Sequence, residues 1–169
     1  MSHELLRWLH VMGVVVSLGS AVMFAFGIGP ALQLVEDRTQ RMKIFAKVMQ
    51  FFHPVFLFGI CLTFMTGAMR LTDLKIGFGT EYYQSLGTLL MVKFGFTTLI
   101  FLIGAGQCFG MGLKVTRMAN GVLEGSIEKQ EKLAGLIRKM TIYNIVLMSI
   151  TIYVGLKIVP MIYGVPQAN

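Results

Sequence analysis

The chain has 169 residues, of which 55% are hydrophobic and only 14% are charged, and its mean hydropathy is +0.71. Because an ordinary soluble domain is about a quarter charged, this composition excludes a soluble enzyme and a disordered tail. The net charge of +7 does not indicate a nucleic-acid partner, since a basic surplus in a membrane protein collects in its cytoplasmic loops.

Four apolar segments follow one another along the chain, and each is long enough to cross a hydrocarbon layer about 30 Å thick. They predict membrane helices at about residues 5–35, 45–70, 85–113 and 140–163. The first segment is too long for the apolar part of a cleaved signal peptide, so we expect it to be retained. The prediction is an all-α, integral membrane four-helix bundle, in which residues 1–169 form a single transmembrane domain.

Basic residues are distributed unequally between the two sides that these helices define. Ten lie around the first and third connections, against three near the N-terminus and in the second connection. The positive-inside rule therefore places the first and third connections in the cytoplasm and both termini on the outer, periplasmic side of a bacterial inner membrane. Residues 125–139 place apolar side chains among charged ones, which predicts an amphipathic segment on the cytoplasmic surface. The ten basic residues are Arg38, Arg41, Lys43, Lys47, Lys114, Arg117, Lys129, Lys132, Arg138 and Lys139.

Apart from Arg7 and Lys47, which are counted with the N-terminus and the first connection, five ionisable side chains fall inside the apolar segments, where such groups are costly and indicate function. All five are candidates for binding a cofactor, and the two histidines among them are also candidate metal ligands. None of the apolar segments contains an aspartate or a glutamate. We therefore expect an anionic ligand to supply the missing negative charge. The five residues are His10, His53, Arg70, Lys93 and Lys157.

The two candidate histidines are predicted to lie at different depths. With a helix rise of about 1.5 Å per residue, His10 lies about 5 Å inside the outer boundary and His53 lies about 25 Å inside it. Axial ligands of one haem iron are only about 4 Å apart, taking zinc–imidazole bonds as a guide. One subunit therefore cannot hold a single haem between these histidines. For His53, which precedes Pro54, a structural role at a helix start is the alternative.

Helical periodicity predicts three faces that line one interior: the face of His10, the face that His53 shares with Arg70, and the face of Lys93. Small residues on the His10 face would let a helix or a flat macrocycle approach closely. Lys93 is predicted about 12 Å deep, too deep for easy snorkelling, whereas Arg70 and Lys157 retain that alternative. The faces comprise Gly13, Ser17 and Ser20 with His10, Thr63 and Gly67 with Arg70, and Thr97, Ile100, Gly104 and Gln107 with Lys93.

Three short motifs carry a resemblance to a known group of proteins. They are Leu5-Leu6-Arg7-Trp8-Leu9-His10 in helix one, Thr66-Gly67-Ala68-Met69-Arg70 in helix two and Met91-Val92-Lys93-Phe94 in helix three. Together they resemble small four-helix membrane proteins related to copper-resistance D proteins and HemJ-type protoporphyrinogen oxidases. In HemJ-type proteins a matching histidine and lysine are implicated in haem binding and activity. The resemblance implies those roles for His10 and Lys93.

The leading hypothesis is a b-type haem-binding redox protein that passes electrons between membrane quinone and a partner. His10 would be an axial ligand, His53 would serve a second haem if two are bound, and the basic side chains would hold haem propionates. The alternatives are a HemJ-like protoporphyrinogen oxidase, a copper-transport component and a non-catalytic assembly subunit, so whether the protein is an oxidoreductase enzyme stays open. The expected partners are the lipid bilayer, a quinone or porphyrin, and further copies of the chain or other subunits of a membrane complex.

Overall fold

The computed structural model describes residues 2–78 and 86–163. Within these ranges the chain forms four long helices, which we number α1 (His3–Leu32), α2 (Arg38–Phe78), α3 (Gly87–Ala119) and α4 (Ile127–Tyr163). Each of them contains a stretch that is long and apolar enough to cross a membrane. The prediction of an all-α protein with four such helices is confirmed.

Residues 33–37 and 120–126 form two short connections at one end of the bundle, which we call the basic end. Asp37 Oδ1 accepts a backbone N–H two residues further on at 2.8 Å, which satisfies a free donor in the first turn of α2. Helix α3 ends in a Schellman motif, because the N–H groups of Gly121 and Val122 donate to carbonyls in its last turn. Gly121 has a φ of 73°, a left-handed conformation that a residue without Cβ adopts readily.

Helix α4 begins at Ile127 and continues without a break through 37 residues, or about 55 Å at the rise of an α-helix. The sequence predicted instead a separate amphipathic segment at residues 125–139, followed by a membrane helix. The structure joins the two, because no proline interrupts the segment and its apolar side chains continue the stripe that faces the bundle. Ile137 is fully buried, and Leu133 packs against the main core. Part of the apolar face of this segment therefore packs against the bundle.

Helices α1 and α2 pack with their backbones almost in contact. A Cβ atom on Gly59 of α2 would lie 2.7 Å from the backbone nitrogen of Ser17, and one on Gly13 would lie 2.6 Å from Thr63 Oγ1. Both distances are too short for real carbon atoms, so glycine is required at these two positions. The small residues predicted beside His10 thus serve close packing between two helices.

The main apolar core fills the basic end and the middle of the bundle. Aromatic side chains stack there, with the ring centres of Phe24 and Phe52 4.5 Å apart and those of Phe52 and Phe56 5.4 Å apart. At the opposite end, the buried apolar cluster that the structure describes is smaller and is built on Leu86 and Ile158. The bundle is therefore less completely filled at the opposite end, and a cavity lies there.

Two π-helical turns interrupt the regular hydrogen bonding, at Met23–Ile28 in α1 and at Gly106–Gly112 in α3. A π turn shifts the helical hydrogen bonds and leaves a backbone carbonyl in need of another donor. In α1 this donor is Arg138, whose Nε donates to the carbonyl of Ala25 at 3.2 Å. The contact ties α1 to α4 in the basic half of the bundle.

The π turn of α3 carries a buried amide network that joins α3 to α4. Gln107 Nε2 donates to Thr141 Oγ1 at 2.9 Å and to the carbonyl of Ile137 at 2.8 Å. Asn144 Nδ2 donates to Gln107 Oε1 at 3.1 Å. All three polar side chains are buried, so these bonds are strong and fix how α3 and α4 meet at this level.

An ion cluster joins the first turns of α2 and α4 at the basic end. Glu131 Oε1 accepts a hydrogen bond from Arg38 Nε at 3.0 Å and another from Arg41 Nη2 at 2.6 Å. Because one carboxylate holds two guanidinium groups, the cluster fixes the start of α2 against the start of α4. Two of the ten basic residues therefore fasten the bundle as well as contributing to the charge of this end.

Candidate ligand cavity

A cavity of about 330 Å³ lies between the four helices, at the end opposite the basic connections. That volume falls within the range of small-molecule and cofactor sites. Each helix contributes to the wall, which is mainly apolar. Among the described residues, its titratable groups are His10 from α1, Arg70 from α2 and Lys93 from α3. The structure thus brings three of the five predicted site residues together.

The hydrogen bonds around His10 favour the tautomer that carries its proton on Nδ1. Thr66 Oγ1 donates its single hydrogen to the carbonyl of Leu62 at 2.6 Å, a bond within α2. The same oxygen lies 3.0 Å from His10 Nδ1 and is left to accept, so the imidazole donates from Nδ1. This network assigns the proton of neutral His10 to Nδ1 and a lone pair to Nε2. The other ring nitrogen is therefore chemically suited to bind an electrophile or a metal ion.

Two glycines give the basic side chains room at the cavity wall. A Cβ atom on Gly67 would lie 3.3 Å from Cε1 of His10, and one on Gly155 of α4 would lie 3.2 Å from Nζ of Lys93. Both distances are tighter than ordinary contacts, so the imidazole and the ammonium each rest against the backbone of a helix. A larger residue at either glycine would push a basic group away from its present position.

The cavity carries positive charge without a described acidic partner. No aspartate or glutamate is among the residues of 2–78 and 86–163 that line it, and none of the described ion pairs involves Arg70 or Lys93. The two cations line the same mainly apolar cavity, and like charges repel most strongly in weakly polar surroundings. A ligand that brings one or two carboxylates would relieve this repulsion.

The other two predicted site residues lie outside the cavity lining that the structure describes. Lys157 is exposed, and its Nζ lies 5.6 Å from the ring centre of Tyr153, which is a cation–π contact. His53 is buried in the main core, where its ring centre is 5.5 Å from that of Phe52 and its ring packs against Gly112 of α3. Periodicity grouped His53 with Arg70, whereas Lys157 was a candidate only as an ionisable residue of an apolar segment, and the folded chain places both outside the described lining.

His10 and His53 lie far apart in the structure, in agreement with their different predicted depths. Thr66, the partner of His10, follows His53 by 13 residues on α2, which is about 20 Å along a helix. His53 Nε2 is buried without a hydrogen-bond partner in the described part of the chain. A Cβ atom on Gly112 would overlap the ring of His53, so that side of the imidazole is closely packed.

Besides the apolar lining, the site contains two threonines and one glycine that were not among the predicted site residues. Thr66 bonds to His10, while Thr151 and Gly155 line the cavity from α4. Thr151 and Gly155 are four residues apart, so two small residues on one face of α4 were the available signal. Thr66 is four residues before Arg70 and therefore lies on the same face of α2, but its role depends on where α1 docks.

Comparisons of the chain with protein-family models, with curated proteins and with solved structures find no match. Within the described residues, no three or more His, Cys, Asp or Glu side chains gather as they would around a metal ion held by several protein ligands. The two cysteines are both free, with Cys61 partly exposed and Cys108 buried. The function is therefore inferred from the cavity itself.

Proposed function

We propose that the protein is a membrane b-type haem-binding redox protein, with the haem held at His10. The observation that supports this most directly is the hydrogen bonding of His10 in the cavity. Thr66 engages Nδ1, and Nε2 keeps its lone pair for an iron ion. Haem ligation by histidine normally uses such a pair of contacts, in which the second ring nitrogen donates to an oriented acceptor.

The remaining wall fits the other parts of a haem. Arg70 and Lys93 would hold the propionates through charge-assisted hydrogen bonds. Apolar side chains from α1 and α3, such as Val14 and Phe94, would contact the macrocycle. Bound haem would supply one-electron redox chemistry, and we propose that its electrons pass between quinone in the bilayer and a partner subunit or protein.

The proposal is limited to one haem at His10. A second haem at His53 would need the contact between its ring and Gly112 to open, because that side of the imidazole is closely packed. The copper-transport alternative and the assembly-subunit alternative have no supporting contact among the described residues. His10 is the one histidine among the described residues of the cavity wall.

The visible spectrum of the purified protein tests the haem proposal. We expect the protein, isolated from cells supplied with haem, to show a Soret band and to sharpen its visible bands when dithionite reduces it. Haem extraction and quantification should give about one haem per chain, since one histidine lines the cavity. A colourless protein that also takes up no haemin in a titration would contradict the proposal.

A HemJ-like oxidation of protoporphyrinogen is the second candidate function. The observation that favours it is that His10 and Lys93, the two residues implied by the resemblance, line the same cavity although 83 residues separate them. A porphyrinogen carries propionates like haem, so Arg70 and Lys93 would hold either molecule. Accumulation of porphyrin in cells that lack the gene would support the oxidase, whereas unchanged porphyrin levels with a haem-bearing protein would support the redox carrier.

We also propose that the bundle spans a bacterial inner membrane with both termini outside. The support is the excess of ten basic residues over three, which collects at the basic end. A single cysteine at Asn120, in a variant without Cys61 and Cys108, should react with a membrane-impermeant maleimide only after the membrane is permeabilised. Labelling of Asn120→Cys from outside intact cells would reverse the proposed orientation.

A further inference from the structure

The cavity has an apolar mouth between α1 and α4. Three exposed side chains line the cavity there: Val11 and Val15 of α1 are 53% and 55% exposed, and Leu156 of α4 is 63% exposed, whereas the other exposed side chain of the described lining is Phe94 of α3, at 44%. Side chains that face both a cavity and the surroundings form its rim. All three are purely apolar, so the rim is suited to contact lipid chains rather than water.

The position of the contacts between α1 and α4 explains why a mouth exists there. Arg138 holds the two helices together at Ala25 and packs against Gly29. Val11 precedes Ala25 by 14 residues, or about 21 Å along α1, so the rim is far from this fastening. The tight partner of α1 is α2, through Gly13 and its neighbours, and α1 packs against α4 much less extensively.

The chemistry of the wall changes across the cavity. The rim is apolar, whereas Arg70 and Lys93 on α2 and α3 present positive charge further in. An amphipathic carboxylate matches both surfaces, because its anionic groups pair with the two cations and its apolar body contacts the rim. Counted from the predicted outer membrane boundary at the rise of an α-helix, His10 lies about 5 Å deep and Lys93 about 12 Å deep. An amphipathic carboxylate that enters from the side, out of the bilayer, would therefore keep its carboxylates near the depth of the lipid headgroups.

We infer that the cavity is loaded from the bilayer, through the mouth between α1 and α4, by an amphipathic dicarboxylate of the porphyrin class. This inference rests on the proposed function for the identity of the ligand and adds the route that the ligand takes. It assigns Val11, Val15 and Leu156 to the passage of the ligand. Lys93 and Arg70 are assigned to its retention.

Haemin binding to the full-length protein in liposomes tests the route. The variant Val15→Trp enlarges one side of the rim, and Val146→Trp is the matched control, because Val146 is 52% exposed on α4 and lies outside the described lining. An obstructed passage should slow uptake and release together, by about tenfold or more, while Kd changes by less than about threefold. Val146→Trp should leave both rates unchanged, and Val15→Ala should speed uptake.

The possible outcomes separate the route from the proposed function. If the parent protein binds haemin and Val15→Trp changes only the release rate, Val15 is a contact of the bound ligand and the entry route is overturned. If neither rate changes, the route is overturned as well. If the parent protein binds no haemin, the proposed function itself fails. A second substitution on the other side of the rim, Leu156→Trp, should reproduce the slowing of both rates.

Discussion

The His10→Ala variant is expected to lose the Soret band entirely while the protein still inserts and remains folded. Alanine removes the one described imidazole of the cavity, and with it the nitrogen that the Thr66 contact leaves available for iron. The measurement is the haem content per chain together with the oxidised and reduced spectra. His3→Ala is the matched control, because His3 is an exposed histidine at the start of the same helix and does not line the cavity.

Two further variants separate ligation from packing. Thr66→Val keeps the shape of the side chain but removes the oxygen that accepts from His10, so haem should bind about 10–100-fold more weakly and with a shifted spectrum. Thr66→Ser keeps the oxygen and should resemble the parent protein. An unchanged spectrum in His10→Ala would exclude His10 as the ligand. A loss of haem confined to His53→Ala would move the site to the basic half of the bundle.

The Lys93→Met variant is expected to weaken haem binding by about tenfold or more. Methionine keeps much of the length and bulk but removes the charge, and a hydrogen bond to a charged group is worth about 1.5–3 kcal/mol. Lys93→Arg should retain part of the affinity, because it keeps the charge. The measurement is a haemin titration of each variant in detergent. Lys157→Met is the control, since it makes the same substitution at an exposed lysine outside the described lining.

The thermal stability of the ligand-free Lys93→Met variant should not fall together with its haem affinity. Lys93 is a cation in a mainly apolar wall that it shares with Arg70, and the two like charges repel each other. Removing it should leave the ligand-free protein at least as resistant to thermal unfolding as the parent, while haem binding falls. A variant that loses stability and affinity together would indicate a packing role for Lys93. Haem affinity equal to that of the parent would show that the lysine does not hold the ligand.

The sequence was sufficient for the helices and for much of the cavity. Apolar segments of the required length predicted four helices, and helical periodicity placed the faces of His10, of His53 with Arg70, and of Lys93 toward one interior. The structure brings His10, Arg70 and Lys93 together there and leaves His53 in the main core. These inferences work because periodicity depends on each helix alone. Two other features depend on how neighbouring helices are rotated against each other. Lys157 points outward, and His10 bonds to Thr66. Rotation is set by tertiary packing, which no single segment encodes.

The backbone contact between α1 and α2 limits how the size of the cavity can change. With glycines at Gly13 and Gly59 already at closest approach, this pair of helices can move no nearer, and any larger side chain would force it apart. The wall that holds His10 therefore has a fixed shape, whereas the facing wall of α3 and α4 carries residues of graded size, from Gly155 to Phe94. Substitutions on the facing wall would adapt the cavity to a bulkier or slimmer ligand while His10 kept its place.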